Sequence, residues 1–144
     1  MHDDVGFGIV LGGIGGALEA VATFRRAGRA IGDRREAGRL MQAKELRRAL
    51  QSALQGAFGS RLRGVVLYGS QARAKATVDS DVDVLVLLDE PVQLGADLDS
   101  IIHALYPLQL AVERPIHALP VGYQTFEAAE FSLYRNAKRE GVFL

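Results

Sequence analysis

Between Met41 and Gly59 the hydrophobic positions follow the period of an α-helix. Large apolar residues occupy every fourth position, while charged and polar residues cover the other sides of the segment. The repeating residues are Leu46, Leu50, Leu54 and Phe58. This spacing predicts an amphipathic helix that buries its apolar face against the domain and ends near Gly56–Gly59.

Three later segments are short, apolar and rich in β-branched residues, which is typical of buried strands. They are Val65–Tyr68, which Gly69 closes with a turn, Val82–Leu88 and Pro115–Val121. We also expect Val142–Leu144 to add a short strand at one edge of the sheet.

Helical periodicity returns between and after these strands. One stripe predicts a helix ending at Pro107, since proline disrupts helical hydrogen bonding. Its members are Leu94, Leu98, Ile101, Ile102, Leu105 and Leu108. A single last helix is predicted from Thr125, its N-cap, to Gly141, its stop, and a helical turn is expected at Gln71–Ala76. One face of the last helix is expected to carry Phe126, Ala129, Leu133 and Ala137. This alternation predicts an α/β or α+β fold in which helices cover a small sheet.

The first 40 residues have a different character. They hold nine of the 16 glycines, and Val5–Phe24 is apolar apart from Glu19. A segment of this length could cross a bilayer, but its glycines and the internal glutamate argue against insertion. We interpret residues 1–40 as a Gly/Arg-rich N-terminal extension, either disordered or preceding a natural start at Met41. Residues 41–144 then form the folded domain.

Composition and charge narrow the function classes. The chain has no cysteine, which excludes disulfides and thiolate zinc sites and favours the cytoplasm. Basic and acidic residues both number 17, so the net charge gives no reason to expect direct nucleic-acid binding. Residues 25–75 hold 13 of the basic side chains and residues 76–144 hold 11 of the acidic ones. This asymmetry would suit a polyanion on one side and cations on the other, or simply two solvated faces.

Two carboxylates stand at the start of the second predicted strand. Asp81 and Asp83 are two residues apart and therefore point to the same face. Such a pair is self-repelling and resists burial, and a hard divalent cation is its natural counterion. A plain polar turn before the strand is the alternative that the spacing alone leaves open.

A glycine and a serine follow the first predicted strand directly. Gly69 permits a tight turn, and the backbone N–H groups after it, with the Ser70 hydroxyl, would form an anion site. Arg73 lies one turn further on and can pair with phosphate oxygens. Gly59-Ser60 occurs in the same chain without this context, so the dipeptide alone is weak evidence.

Together these residues carry a resemblance. Gly69-Ser70, ten intervening residues and Asp81-Val82-Asp83, with Leu67-Tyr68 before them, resemble the motif of the DNA polymerase β-like nucleotidyltransferase superfamily. The chain from Met41 onward is similar to the small stand-alone MNT-type members, including the ending Tyr134–Gly141. The resemblance implies a small mixed β-sheet covered by helices.

The resemblance also implies a site and a reaction. Gly69, Ser70 and Arg73 would hold a nucleoside triphosphate, ATP or another NTP, and Asp81 and Asp83 would hold Mg²⁺. An acceptor hydroxyl would attack the α-phosphorus and release pyrophosphate.

One position departs from the family pattern. Catalytic members carry a third carboxylate on the third strand, where this chain has His117. A histidine is a poorer magnesium ligand than a carboxylate but can act as a general base. It could equally be an ordinary strand histidine, and Glu113 would take the position if the register differed.

MNT-type proteins are typically paired with a HEPN-type toxin. The resemblance therefore implies an antitoxin that transfers AMP from ATP to a hydroxyl of a HEPN-type protein. The alternative is a weak or inactive enzyme that neutralises its partner by binding alone.

Overall fold

The computed structural model of the chain describes residues 35–69, 81–112 and 114–144, with side chains from Ala43 onward. The interpretation of residues 1–34, the turn predicted at Gln71–Ala76 and the positions of Ser70, Arg73 and Glu113 lie outside these ranges.

Helices and strands alternate along most of the described chain. The bounds are α1 Arg35–Phe58, β1 Leu62–Tyr68, β2 Val82–Leu88, α2 Leu94–Val112, β3 Ile116–Gly122, α3 Tyr123–Ala128, α4 Ser132–Glu140 and β4 Val142–Phe143. A 3-10 turn, Gly59–Arg61, joins α1 to β1. The bounds of β2 and the end of α1 agree with the prediction, whereas α1 already begins before Met41.

The strands form one mixed sheet in the order β3-β2-β1-β4. β1 pairs antiparallel with both β2 and β4, and β2 pairs parallel with β3. The terminal strand is an edge strand, as predicted. The α/β fold with a small mixed sheet covered by helices is therefore confirmed.

Side chains alternate across the sheet and build a core on each side of it. The larger core packs α1 and α2 against one face of β1 and β2, and includes Val82, Val84, Val86 and Leu88. The smaller core lies on the other face, where Leu85 and Leu87 meet Phe126 of α3 and Ala137 of α4. The face on which Asp81 and Asp83 were predicted is the one with the smaller core.

The helix α2 does not end at Pro107, which corrects the prediction. It continues to Val112 with the proline inside. Proline removes one N–H donor and strains the preceding turn. Leu105 and Leu108, on either side of it, are both buried. Their burial offsets the loss of the hydrogen bond.

The single last helix predicted from Thr125 is also wrong. The chain forms α3 and α4, separated at Ala129, which has a φ of 52°. Arg135 of α4 donates to the carbonyls of Ala129 and Glu130 and so fixes this turn. The stop at Gly141 is confirmed, since α4 ends at Glu140.

None of the helices in residues 35–69, 81–112 and 114–144 is both long and apolar enough to cross a bilayer.

Candidate active site

The sheet topology brings three chain segments together at one end of the strands. β1 ends at Tyr68, followed by Gly69, while β2 and β3 begin at Val82 and Ile116. Because β2 is antiparallel to β1 and parallel to β3, the end of β1 and the beginnings of β2 and β3 lie side by side. Residues far apart in the sequence therefore meet there.

Asp83 lies on β2, the middle one of these three strands. It is in register with Tyr68 on β1 and with His117 on β3. Neighbouring residues in register point to the same face of a sheet, so the three side chains share the face of the smaller core. The position that the sequence assigned to the missing third carboxylate is thus next to Asp83.

Gly69 lies against the Asp83 carboxylate. Its φ is +68°, in the left-handed region that glycine adopts readily. A Cβ atom at this position would lie 2.7 Å from Asp83 Oδ2, closer than van der Waals contact allows. The close approach of this turn to the carboxylate therefore requires glycine.

Burial raises the pKa of the Asp83 carboxyl above its usual value. The charge of His117 acts in the opposite direction, and the negative charge of Asp81 raises the pKa further. Burial, followed by the charge of Asp83, also raises the pKa of the Tyr68 phenol. Both shifts indicate a partly desolvated pocket in which a negative charge needs compensation.

His117 also approaches the second carboxylate. Its Nε2 atom lies 3.4 Å from Asp81 Oδ2, and both side chains are more than half exposed. The imidazole is therefore reachable from solvent and lies beside both carboxylates of the pair.

Gln109 was not expected from the sequence. Its Oε1 atom accepts a hydrogen bond from the Ile116 N–H at 2.8 Å, and its amide donates to the carbonyl of Arg114. The side chain therefore fixes the start of β3 directly before His117. Glutamine is common in helices, so no sequence signal marks this role.

The oxygen ligands of this site suit magnesium. Among the described residues, no three His, Asp or Glu side chains converge closely enough to hold an ion unaided. Magnesium, however, is often held by one or two carboxylates and completes its shell with water and substrate phosphates. The pair Asp81 and Asp83 fits that arrangement.

His103, to which the sequence analysis assigned no role in the site, is exposed on α2, and its Nδ1 atom lies 2.8 Å from the Asp99 carbonyl oxygen.

A groove of about 500 Å³ opens beside the cluster, between α2 and the outer edge of β3. Tyr68 and His117 line it together with apolar residues of α2, including Ile102 and Tyr106. The groove therefore reaches the end of the sheet at which Tyr68 and His117 lie.

Comparisons with known proteins identify the family of the chain. Residues 41–144 match the family model described as a nucleotidyltransferase domain. A protein of Methanocaldococcus jannaschii, named "Putative protein adenylyltransferase MJ0604", is 30% identical over 94 residues, which cover 65% of this chain and 88% of that protein. No solved structure matches the chain significantly. The family match spans well over half of the chain, and the chain therefore belongs to the nucleotidyltransferase domain family.

Proposed function

We propose that this chain is a cytoplasmic, magnesium-dependent nucleotidyltransferase that transfers AMP from ATP to a hydroxyl group of a partner protein. We further propose that the partner is a HEPN-type toxin and that the modification neutralises it, so that the chain acts as an antitoxin. The observation that carries the proposal is the meeting of Asp81, Asp83 and His117 at the edge of the sheet where Gly69 contacts Asp83.

The family supports the class of reaction, and the relative's name supports the nucleotide. The nucleotidyltransferase domain match supports transfer of a nucleoside monophosphate from an NTP. The M. jannaschii protein carries the name of a protein adenylyltransferase, which supports AMP and a protein acceptor.

Each residue of the cluster has a role in this proposal. Asp81 and Asp83 would hold magnesium, which would neutralise charge on the triphosphate. Gly69 permits the turn after β1 to approach Asp83, and the sequence assigns phosphate binding to this turn and to Ser70 and Arg73.

His117 would act as the general base. In this proposal its Nε2 atom accepts the proton of the acceptor hydroxyl as that oxygen bonds to the α-phosphorus and pyrophosphate leaves. Asp81, 3.4 Å away, would stabilise the imidazolium that forms. A histidine can thus supply the basicity that a third carboxylate supplies elsewhere in the family.

The test is transfer of label from α-phosphate-labelled ATP, with magnesium, to a HEPN-type toxin, which is the proposed acceptor. Asp81→Asn and Asp83→Asn keep the shape of each side chain and remove its charge, so each should abolish labelling. Asp89→Asn is the matched control, because Asp89 is about half exposed, pairs with Arg63 and lies just beyond the opposite end of β2.

The outcomes separate the two candidate functions. Labelling by the wild-type protein and the control, but not by the site variants, supports the enzyme. If the wild-type chain binds and silences the partner without any label, it acts by contact alone, and the substitution of His117 for a carboxylate would account for the missing activity.

A further inference from the structure

Helix α2 is apolar on two sides. One side is buried in the larger core through Ile101, Leu105 and Leu108. The other carries an apolar ridge, defined here as Leu98, Ile102, Tyr106 and Leu110, in which each residue follows the last by four positions. A helix with polar surroundings normally presents charged or polar residues on its outer side. The ridge is therefore a surface whose apolar character is not accounted for by packing within the described part of the chain.

The ridge exposes an apolar area comparable to that of a protein–protein contact. Ile102, Tyr106 and Leu110 are each 56–60% exposed, and Leu119 of β3 lies exposed on the other side of the groove. Together they present roughly 400 Å² of side chain, a patch size that is often functional on a monomer. A standard interface buries about 800 Å² per partner, somewhat more than half of it apolar. The patch is thus close to the apolar part of one such interface.

The chemistry of the groove beside the ridge limits its occupant. The polar side-chain groups among its lining residues are the hydroxyls of two tyrosines, the Gln109 amide and the His117 imidazole, and none of these residues is Lys, Arg, Asp or Glu. A nucleic-acid backbone binds through basic side chains, and a cationic small molecule binds through carboxylates. The mainly apolar lining instead matches an apolar segment of a protein.

The outer edge of β3 favours a helix over an added strand. Strand addition needs free backbone donors along the edge. The Ile116 N–H is already bonded to Gln109, and Pro120 has no N–H to offer. A ridge with four-residue spacing, in contrast, is the surface into which a second helix packs its own ridges.

From these features we propose that an amphipathic helix of the acceptor protein packs on the apolar ridge and in the adjoining groove, and so presents its hydroxyl to Asp81, Asp83 and His117. The inference rests on the proposed function and names the surface that selects the acceptor. The groove leads from the ridge to Tyr68 and His117. A second copy of this chain on the same ridge would cover that approach, which argues for the acceptor as the occupant.

The test uses the full chain and, as the probe, the HEPN-type toxin tested as the acceptor in the assay of the proposed function. Ile102→Lys and Tyr106→Lys place a charge on the ridge, whereas Phe131→Lys places it on an equally exposed aromatic residue outside the groove. Affinity is measured by calorimetry, labelling by its KM and kcat, folding by thermal denaturation and self-association by sedimentation. Each ridge variant should weaken binding of the probe and raise its KM at least tenfold. Its kcat, ATP affinity and melting temperature should stay close to those of Phe131→Lys.

Several results would overturn the inference. Equal affinity for the probe in the ridge variants and the control would exclude the ridge as the acceptor surface, as would no binding by the wild-type chain. A wild-type dimer that the ridge variants convert to monomers, with probe binding intact, would assign the ridge to a second copy. Failure of the proposed function gives a different pattern, since a chain that binds the probe through the ridge without labelling it keeps the docking surface and loses the enzyme.

Discussion

Two glycines of this chain permit a matched test of how the site is built. Gly59 and Gly69 both have a positive φ, +55° and +68°, and both precede a serine. They lie at opposite ends of β1. A Cβ atom at Gly59 would meet nothing within 4 Å, whereas one at Gly69 would lie 2.7 Å from Asp83 Oδ2. Alanine at each position therefore applies the same backbone strain and differs in whether it displaces the carboxylate.

The expected loss of stability is similar for the two variants. Alanine in the left-handed region costs about 1–2 kcal/mol. About 0.4–1 kcal/mol is recovered because alanine restricts the unfolded chain. Both Gly59→Ala and Gly69→Ala should then lower the free energy of unfolding by about 1 kcal/mol, or about 4–8 °C in melting temperature for a domain near 100 residues. The clash at Gly69 adds little, because the Asp83 carboxylate is the free end of its side chain and can rotate away.

That rotation should be costly for function. A displacement of about 1 Å in a catalytic group can reduce the rate about 100-fold. We therefore expect Gly69→Ala to lose about two orders of magnitude in nucleotidyl transfer, and Gly59→Ala to retain nearly all of it.

The assays are urea unfolding of both variants, Mn²⁺ binding in the presence of ATP, and transfer of label from ATP to the partner. Transfer activity of Gly69→Ala within about threefold of that of Gly59→Ala would refute the expected role of the contact with Asp83. Unfolding of the domain by Gly69→Ala alone would also refute it, because the carboxylate would then not be free to move as the structure indicates.

Three further predictions concern stability and the proton. Asp97, which is buried, accepts two hydrogen bonds from Arg61, and this contact lowers the pKa of its carboxyl. A lowered native pKa contributes stability above the unfolded value of about 3.9, and that stability is lost as the pH falls through the native pKa. Asp97→Asn should therefore cost about 1.5–3 kcal/mol at pH 7, measured by urea unfolding, and a gap from wild type that did not narrow toward pH 3 would contradict this. Gln109→Leu should lower the free energy of unfolding by about 1 kcal/mol in the same assay and reduce kcat, whereas unchanged transfer would show that the start of β3 does not need this hydrogen bond. His117→Ala should lower kcat about 100-fold or more in the labelling assay with little change in ATP affinity, and full activity would exclude His117 as the base.

The sequence predicted those parts of the fold in which the local pattern of apolar and polar residues is compatible with only one type of element. In Val82–Leu88 the apolar residues fill both faces after a charged start, and the observed strand has the predicted bounds. The end of α1 followed in the same way, since Gly59 comes directly after Phe58, its last apolar residue. The parallel pairing that brings His117 beside Asp83 was not among the predictions from the sequence.

Other features depended on contacts that a sequence pattern does not encode. The sequence predicted a single apolar stripe on α2, but the structure divides it into a buried surface and an exposed one. Ile101 is buried, while Ile102, its neighbour, is exposed. The sequence pattern does not distinguish an apolar residue that is buried in the core from one that is exposed on the surface. The break at Ala129 is similar, since alanine favours a helix and Arg135 holds the turn from a distance in the sequence.

The placement of the site follows from the way in which the core sets the strand register. A slip of one residue between β2 and β3 would turn every side chain of one strand to the opposite face. The register is held by Val82, Val84 and Ile116, which pack on the side of α1 and α2, and the alternation then directs Asp83 and His117 to the other side. Among the described residues, α3 and α4 are the helices that cover that side, and they pack near the far ends of β2 and β3 through Leu87 and Val121, whereas Asp81 and His117 are more than half exposed. The residues that build the larger core therefore also determine where Asp83 and His117 meet.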